Sequence, residues 1–145
     1  MLGAKQESRF EYKGFPCVVL FLSNAYRCGY VGIPKSNKYY DKNYEEIPVS
    51  CHGGLTYSEK KLFGQNDIDT WWIGFDCAHY GDGYDIEKAK ELFANDEQVM
   101  KQLTVLEQTG YFSVCEEDQV RTLDYVEENC RSIVDQLIQL ESKER

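Results

Sequence analysis

Residues 69–82 contain the greatest concentration of side chains that could do chemistry. Both tryptophans of the chain lie here, in an apolar run that predicts a strand. Two glycines allow the segment after that strand to bend. A rigid strand ending in a polar loop positions residues well for binding or catalysis, so we expect a site here. A buried strand followed by an ordinary polar turn is the alternative. The polar residues in question are Asp76, Cys77, His79 and Asp82.

Cysteine and histidine occur together twice, which suggests two kinds of reactive site. Cys51, His52, Cys77 and His79 have the ligand types of a zinc site, but no standard ligand spacing is present. A cysteine–histidine nucleophile oriented by a nearby aspartate is the other possibility. Such combinations arise by chance in a chain with 6 cysteines. The phosphate-binding patterns GxxxxGK[ST] and GxGxxG are absent. We therefore expect no catalytic residue, no metal and no cofactor.

A binding site for a planar, phosphate-bearing ligand fits the residue types better. Aromatic rings supply flat faces for a base, cations bind phosphate, and glycines allow close approach of backbone amides. We expect Arg27→Ala and Arg121→Ala to lower nucleotide affinity and leave the melting temperature nearly unchanged. Alternatively, both arginines only pair with carboxylates, and several of the aromatic rings are core. The predicted ligand-binding residues are Tyr26, Arg27, Tyr30, Lys35, His52, Gly53, Gly54, Tyr57, Trp72, Asp76, His79, Asp82, Arg121 and Asp124.

The distribution of charge argues against nucleic acid as a partner. The net charge is −9, and residues 73–145 carry 17 acidic and only 7 basic side chains. Such a surface repels DNA and RNA backbones. The first residues lack the apolar core of a signal peptide, and no apolar run is long enough to span a bilayer. We therefore expect a cytoplasmic protein that binds neither nucleic acid nor membrane.

The apolar pattern predicts a single α+β domain over residues 1–145. Residues 10–12 and 17–22 indicate two strands with a turn at Gly14, and residues 26–33 and 71–75 indicate two more. Residues 48–58 suggest a further strand interrupted by Gly53 and Gly54. Residues 35–47 and 60–69 indicate polar loops. We expect an antiparallel sheet over about residues 9–82, with helices over about 84–142 covering one face.

Helical periodicity begins after Gly83. One apolar stripe covers residues 86–93, and a second follows a break near Asn95 and Asp96 and ends at Gly110. Residues 113–116 have the sequence of a capping box, so we expect a last helix of ~25–30 residues from near Ser113. Its late apolar positions would need a partner subunit, which predicts a homo-oligomer. These positions are Ile133, Val134, Leu137, Ile138 and Leu140.

Several motifs carry a resemblance to known proteins. They are Gly29-Tyr-Val-Gly-Ile-Pro-Lys35, His52-Gly-Gly-Leu-Thr-Tyr-Ser58, Trp71-Trp-Ile-Gly-Phe-Asp-Cys-Ala-His79-x-Gly81-Asp82 and Arg121-x-x-Asp-Tyr-Val126. Over about residues 10–135 the chain resembles a family of small proteins of phages and prophages. In size, order of elements and context it is also similar to phage anti-defence sponges of the first Thoeris anti-defence type, which sequester cyclic nucleotides.

The resemblance implies a phage-encoded anti-defence protein in the infected bacterial cytoplasm. Its ligand would be a small immune-signalling nucleotide, a cyclic ADP-ribose isomer or a cyclic oligonucleotide, bound without cleavage. The alternatives are a hydrolase or transferase that uses His52, Asp76, Cys77 or His79, and an inhibitor that binds a host enzyme through the acidic last helix.

Overall fold

The computed structural model describes residues 3–62, 65–66, 69–108 and 119–142. The main strands are β1 (Ala4–Tyr12), β2 (Phe15–Leu22), β3 (Arg27–Pro34), β4 (Tyr57–Glu59) and β7 (Thr70–Asp76). Two short pairs lie apart from them: β5 (Lys61–Leu62) with β6 (Gln65–Asn66), and β8 (Asp82–Gly83) with β9 (Gln119–Val120). The main strands form one antiparallel sheet in the order β1-β2-β3-β7-β4, and a C-terminal helix packs on it. The predicted α+β class is confirmed.

The turn predicted at Gly14 joins the first two strands. Tyr12 pairs with Phe15, so the loop has two residues, Lys13 and Gly14, with φ of 50° and 87°. Such positive φ values match the twist of the flanking strands and favour glycine. β2 is buried along almost its whole length, as the apolar run at residues 17–22 predicts.

The central strands β3 and β7 set the position of the candidate site. They pair antiparallel, beginning with Cys28 opposite Asp76. Beyond that pair, the Cys77 amide donates to the Arg27 carbonyl oxygen at 3.0 Å. The end of β7 and the start of β3 therefore lie together, and the polar residues that follow β7 emerge at this edge of the sheet.

Two short helices follow the sheet where periodicity predicts them. They are α1 (Ile86–Leu92) and α2 (Glu97–Gln108), and the predicted break near Asn95 and Asp96 separates them. They pack on Phe21 and Ala25 from the β2–β3 hairpin. Gly110, the predicted end of the second stripe, lies outside the described residues. Within the described ranges, no helix combines the length and apolar character that crossing a membrane requires.

The C-terminal helix, α3 (Leu123–Ser142), begins later than the sequence predicts. The expected continuous helix from near Ser113 is wrong, because the backbone just before α3 is extended and forms β9, which pairs in parallel with β8. The Thr122 hydroxyl instead caps the helix by accepting from the Tyr125 amide at 3.2 Å. The capping box proposed at residues 113–116 falls outside the described residues.

α3 buries its apolar stripe against the sheet of its own chain. With 20 residues it is about 30 Å long, shorter than expected. Three of the residues from which we expected subunit contacts are fully buried here, so they give no support to an oligomer. Ile138 remains 39% exposed. The buried residues of α3 are Val126, Cys130, Ile133, Val134 and Leu137.

Residues 48–58 form a strand only at their end, in β4, because the first part of the segment lies along α3. The Ser50 amide donates to Gln136 Oε1, and Gln136 Nε2 donates to the Ser50 carbonyl oxygen, both at 2.7 Å. Asn129 Oδ1 accepts from the His52 amide at 2.9 Å. Side chains of α3 thus satisfy backbone groups that a neighbouring strand would otherwise satisfy.

The two predicted loops contain short regular elements. Residues 35–47 include one 3₁₀ turn, Tyr44–Glu46, which Asn43 caps through both its side chain and its backbone. Residues 60–69 include β5 and β6, and Leu62 in β5 is buried. Both loops are thus partly ordered by local hydrogen bonds.

Candidate functional site

Three stretches that are distant in the sequence meet beyond the end of β7. They are the irregular segment 48–54, the turn at residues 77–81 with β8, and β9 with the first turn of α3. This junction brings together the predicted site residues His52, Gly53, Asp76, His79, Asp82 and Arg121.

Asp82 is the centre of the cluster. Its side chain is 1% exposed and accepts from Arg121 Nε at 2.8 Å, from His52 Nε2 at 2.9 Å and from the His79 amide at 3.0 Å. Burial alone would raise the pKa of Asp82, but the hydrogen bonds from Arg121 and His52 hold that pKa below its ordinary value. Asp82 is therefore an ionised carboxylate at neutral pH that orients both side chains.

His52 links Asp82 to a tyrosine. Because an ionised carboxylate can only accept, His52 Nε2 carries a hydrogen, and Nδ1 of the neutral ring is then an acceptor. The Tyr125 hydroxyl lies 2.8 Å from Nδ1 and donates to it when the ring is neutral. Phenol, imidazole and carboxylate form a hydrogen-bonded series whose solvent end is Tyr125, 37% exposed.

Arg121 is held from three sides. Nε donates to Asp82, Nη1 donates to Gln119 Oε1 at 3.0 Å, and the guanidinium lies 5.2 Å from the centre of the Tyr125 ring. The hydrogen bond to Asp82 raises the pKa of Arg121, which is therefore charged at every accessible pH. With 22% of its side chain exposed, the guanidinium is both fixed and accessible to solvent.

His79 packs tightly over Gly53. A Cβ at Gly53 would lie 2.4 Å from His79 Cδ2 and Nε2, and the φ of Gly53 is +67°. Glycine is thus required here both for space and for backbone conformation. His79 Nε2 is 3.1 Å from Asp76 Oδ1, but the angles are not those of a hydrogen bond, and this nitrogen is buried without a hydrogen-bond partner in the described structure. The His52 and His79 rings are 6.0 Å apart.

Arg27 lies beneath the cluster rather than on its surface. Its side chain is 5% exposed and donates to both carboxylate oxygens of Glu7, at 2.6 and 3.0 Å. Nη1 also donates to Asp85 at 3.0 Å. Burial would lower the pKa of Arg27, but these two carboxylates raise it above its ordinary value. Its charge is neutralised within the chain, so the structure does not place Arg27 where a ligand could bind.

The predicted aromatic residues lie mainly on the sheet face opposite α3. Trp72 is 1% exposed and packs with Val18, Leu20 and Leu62, so it belongs to the core. Tyr30 and Tyr57 pack against that cluster and meet edge to face at 5.3 Å. Burial, and to a lesser extent the nearby Cys28 and Asp76, raises the pKa of Tyr26 to about 12.

The remaining predicted residues are not brought into the cluster. Lys35 follows the far end of β3 and lies 3.8 Å from Asp69, and Gly54 has open space around its α-carbon. Asp124 is exposed in the first turn of α3. Tyr125 was missed, although it stands next to Asp124 in the quoted motif, in the first turn of α3 and four residues after Arg121.

Cys51 and Cys77, the cysteines weighed as nucleophiles, are poorly suited to that role. Burial raises the pKa of Cys77 to about 12 and that of Cys51 to about 11, so both thiols are protonated at neutral pH. Among the described residues, no three His, Cys, Asp or Glu side chains are arranged to hold a metal ion. The zinc site weighed from the sequence therefore has no support within those ranges.

Two open grooves lie away from the cluster. One, of about 400 Å³, is lined by Arg9, Phe10, Glu11 and Pro16, and the other, of about 170 Å³, by Pro48, Gln136, Gln139 and Leu140. None of these residues was predicted to bind a ligand.

Comparison with protein-family models, curated proteins and solved structures finds no match for this chain. The function is therefore inferred from the site and from the motif resemblance.

Proposed function

We propose that this protein binds a small phosphate-bearing nucleotide at the Asp82-centred cluster and sequesters it without converting it. In the setting that the resemblance implies, the protein is a phage-encoded anti-defence factor in the cytoplasm of the infected cell. The ligand is then an immune-signalling nucleotide, a cyclic ADP-ribose isomer or a cyclic oligonucleotide.

The position of Arg121 carries this proposal. A guanidinium has five N–H donors, and the hydrogen bonds to Asp82 and Gln119 use two of them. The other donors belong to a side chain that is fixed in place and partly exposed. Fixed guanidinium groups bind phosphate oxygens well because little side-chain freedom is lost on binding.

The main objection to an anionic ligand is the acidity of the chain, and for Asp82 the burial of its carboxylate answers that objection. An anion approaching from solvent meets the guanidinium of Arg121, whereas the carboxylate of Asp82 lies behind it, 1% exposed. Arg121, His52 and a backbone amide already compensate that carboxylate. The charge of Asp82 is therefore balanced within the chain and does not oppose an anion at Arg121.

Calorimetry with two arginine variants tests the proposal. Arg121→Ala should weaken binding of cyclic ADP-ribose isomers or cyclic dinucleotides roughly ten- to a hundredfold, the usual loss of a charged hydrogen bond. Arg131→Ala is the matched control, since Arg131 is a partly exposed arginine of α3 that pairs with Glu128 and lies over the Phe10 ring of β1. If no nucleotide of either class binds the wild-type protein, the proposal is wrong.

The phenol–imidazole–carboxylate series favours a second candidate, a hydrolase or transferase. Tyr125 could transfer its proton to His52 Nδ1 while Asp82 stabilises the resulting imidazolium, as general acid–base catalysis requires. Heating the protein–nucleotide complex separates the candidates. Intact nucleotide in the supernatant supports sequestration, whereas a cleaved or transferred product supports the enzyme.

We also propose that the protein is a homo-oligomer, although fewer apolar residues of α3 are exposed than the sequence suggests. Near the end of α3, part of Ile138 is exposed, close in sequence to Leu140 and Gln139, which line a groove with Pro48. Light scattering at micromolar concentration tests it, and a mass of one chain would contradict it.

A further inference from the structure

Exposed apolar side chains are concentrated around the proposed site. In the described part of the chain, five large apolar or aromatic residues are prominently exposed, and three of them belong to segments that meet at Asp82. Tyr80 is two residues before Asp82, Val120 pairs with Gly83 beside it, and Tyr125 donates to His52. The other two, Val105 and Ile138, lie on α2 and α3. Apolar surface grouped around a polar site is typical of ligand or partner contact.

Tyr80 is the most exposed of these residues, with 100% of its surface accessible. It nevertheless stands on a well-defined turn. The Asp82 amide donates to the His79 carbonyl oxygen, and the His79 amide donates to Asp82 Oδ2, both at 3.0 Å. The φ of Gly81 is +92°, as such a tight turn requires. The carboxylate that orients Arg121 therefore also holds the turn that presents Tyr80.

A tyrosine in this position contributes nothing to the core, but it offers a flat face to a ligand. Aromatic side chains have few rotatable bonds, so ordering them on binding costs little, and every nucleobase has a face that can stack on them. The polar part of the cluster recognises only charge. A ring beside it would add recognition of the base.

We propose that recognition has two parts: the base of a nucleotide stacks on Tyr80, and its phosphate binds Arg121. This inference rests on the proposed function and narrows the ligand to a molecule that joins a nucleobase to phosphate. A sugar phosphate uses only the second part of the site and binds more weakly.

Calorimetry with cyclic ADP-ribose, AMP and ribose 5-phosphate tests the two parts separately, because AMP and ribose 5-phosphate differ by the base. Tyr80→Ala should weaken binding of the purine ligand roughly five- to a hundredfold and leave that of ribose 5-phosphate unchanged. Tyr80→Phe keeps the ring and should bind like wild type. Val105→Ala, which truncates an exposed apolar residue on α2, is the control.

The outcomes distinguish the inference from the proposed function. If the wild-type protein binds none of the purine nucleotides, both are overturned. If it binds them and Tyr80→Ala binds equally well, the proposed function stands and the role of Tyr80 is wrong. Equal weakening for ribose 5-phosphate and the purine ligand would also overturn that role, because the substitution would then act on the phosphate part.

Discussion

Arg27 donates through Nη1 to the backbone carbonyl oxygen of Arg121 at 3.1 Å. The sequence suggests both arginines as ligand contacts, but in the structure one of them supports the backbone of the other. Arg27 supports the chain from below, and Arg121 faces solvent. Through Glu7 and Asp85, Arg27 also ties β1 and the start of α1 to the same point. It is a positioning residue for the site rather than a contact in it.

We now expect Arg27→Ala to destabilise the fold, contrary to the expectation from sequence. The substitution leaves Glu7, 6% exposed, with an unpaired buried charge, which typically costs about 3–5 kcal/mol. Urea unfolding measures this loss. Arg131→Ala, which breaks a partly exposed ion pair, should cost only ~0–1 kcal/mol. A melting temperature equal to that of wild type would contradict the positioning role.

Asp82 should make the free energy of unfolding depend on pH in the acid range. Its pKa is lower in the folded state than in the unfolded chain, so its contribution is complete above about pH 4. That contribution is lost as the pH falls through the lowered folded pKa. Urea unfolding of wild type between pH 2.5 and 7 should show the loss, and Asp82→Asn should show less of it.

Asp135→Asn is the control for the acid dependence. The hydrogen bond from Lys13 lowers the pKa of Asp135, but this pair is on the surface, where solvent screens it. Its removal should change the pH dependence less than the removal of Asp82. Similar profiles for both variants would mean that the buried network does not contribute as described.

Gly53→Ala and Gly54→Ala form a matched pair. Both positions have positive φ, +67° and +83°, and each substitution should cost about 1 kcal/mol of backbone strain. Only at Gly53 does the new methyl group collide with His79, so this variant should be the less stable of the two. NMR of the His79 ring protons should show a displacement in Gly53→Ala alone. Equal stability and unchanged spectra would show that the ring moves aside freely.

Tyr125→Phe separates binding from catalysis. The substitution removes the donor to His52 Nδ1 but keeps the ring beneath Arg121. For a sequestering protein, losing one neutral hydrogen bond should weaken nucleotide binding by no more than roughly tenfold. For an acid–base enzyme, turnover should fall by ~10²–10⁴. Tyr12→Phe, which removes a surface hydroxyl near Asp135, is the control in both assays.

Local sequence patterns predict the strands well but miss the contacts between distant segments. The apolar run at residues 17–22 and the turn at Gly14 are formed as expected, since burial and φ preference act over a few residues. The helix start near Ser113 failed because spacing alone cannot show that β9 pairs with β8, some 37 residues earlier.

The same limit applies to the site. His52, Asp82 and Arg121 were predicted from residue type, and the structure brings them together. Arg27 has the same residue type as Arg121, but its partners Glu7 and Asp85 lie 20 and 58 residues away, and they determine that it is buried. Tyr125 was overlooked because a tyrosine in an apolar helical pattern is equally consistent with core packing.

The packing of α3 on the sheet has a consequence during synthesis of the chain. Until residues 123–142 leave the ribosome, the sheet face that contains Val19, Val31 and Ile73 has no helix to cover it. The same helix supplies Tyr125 and the Asn129 amide group that holds His52. A nascent chain therefore exposes an apolar sheet face, and the docking of one helix both buries that surface and completes the cluster around Asp82.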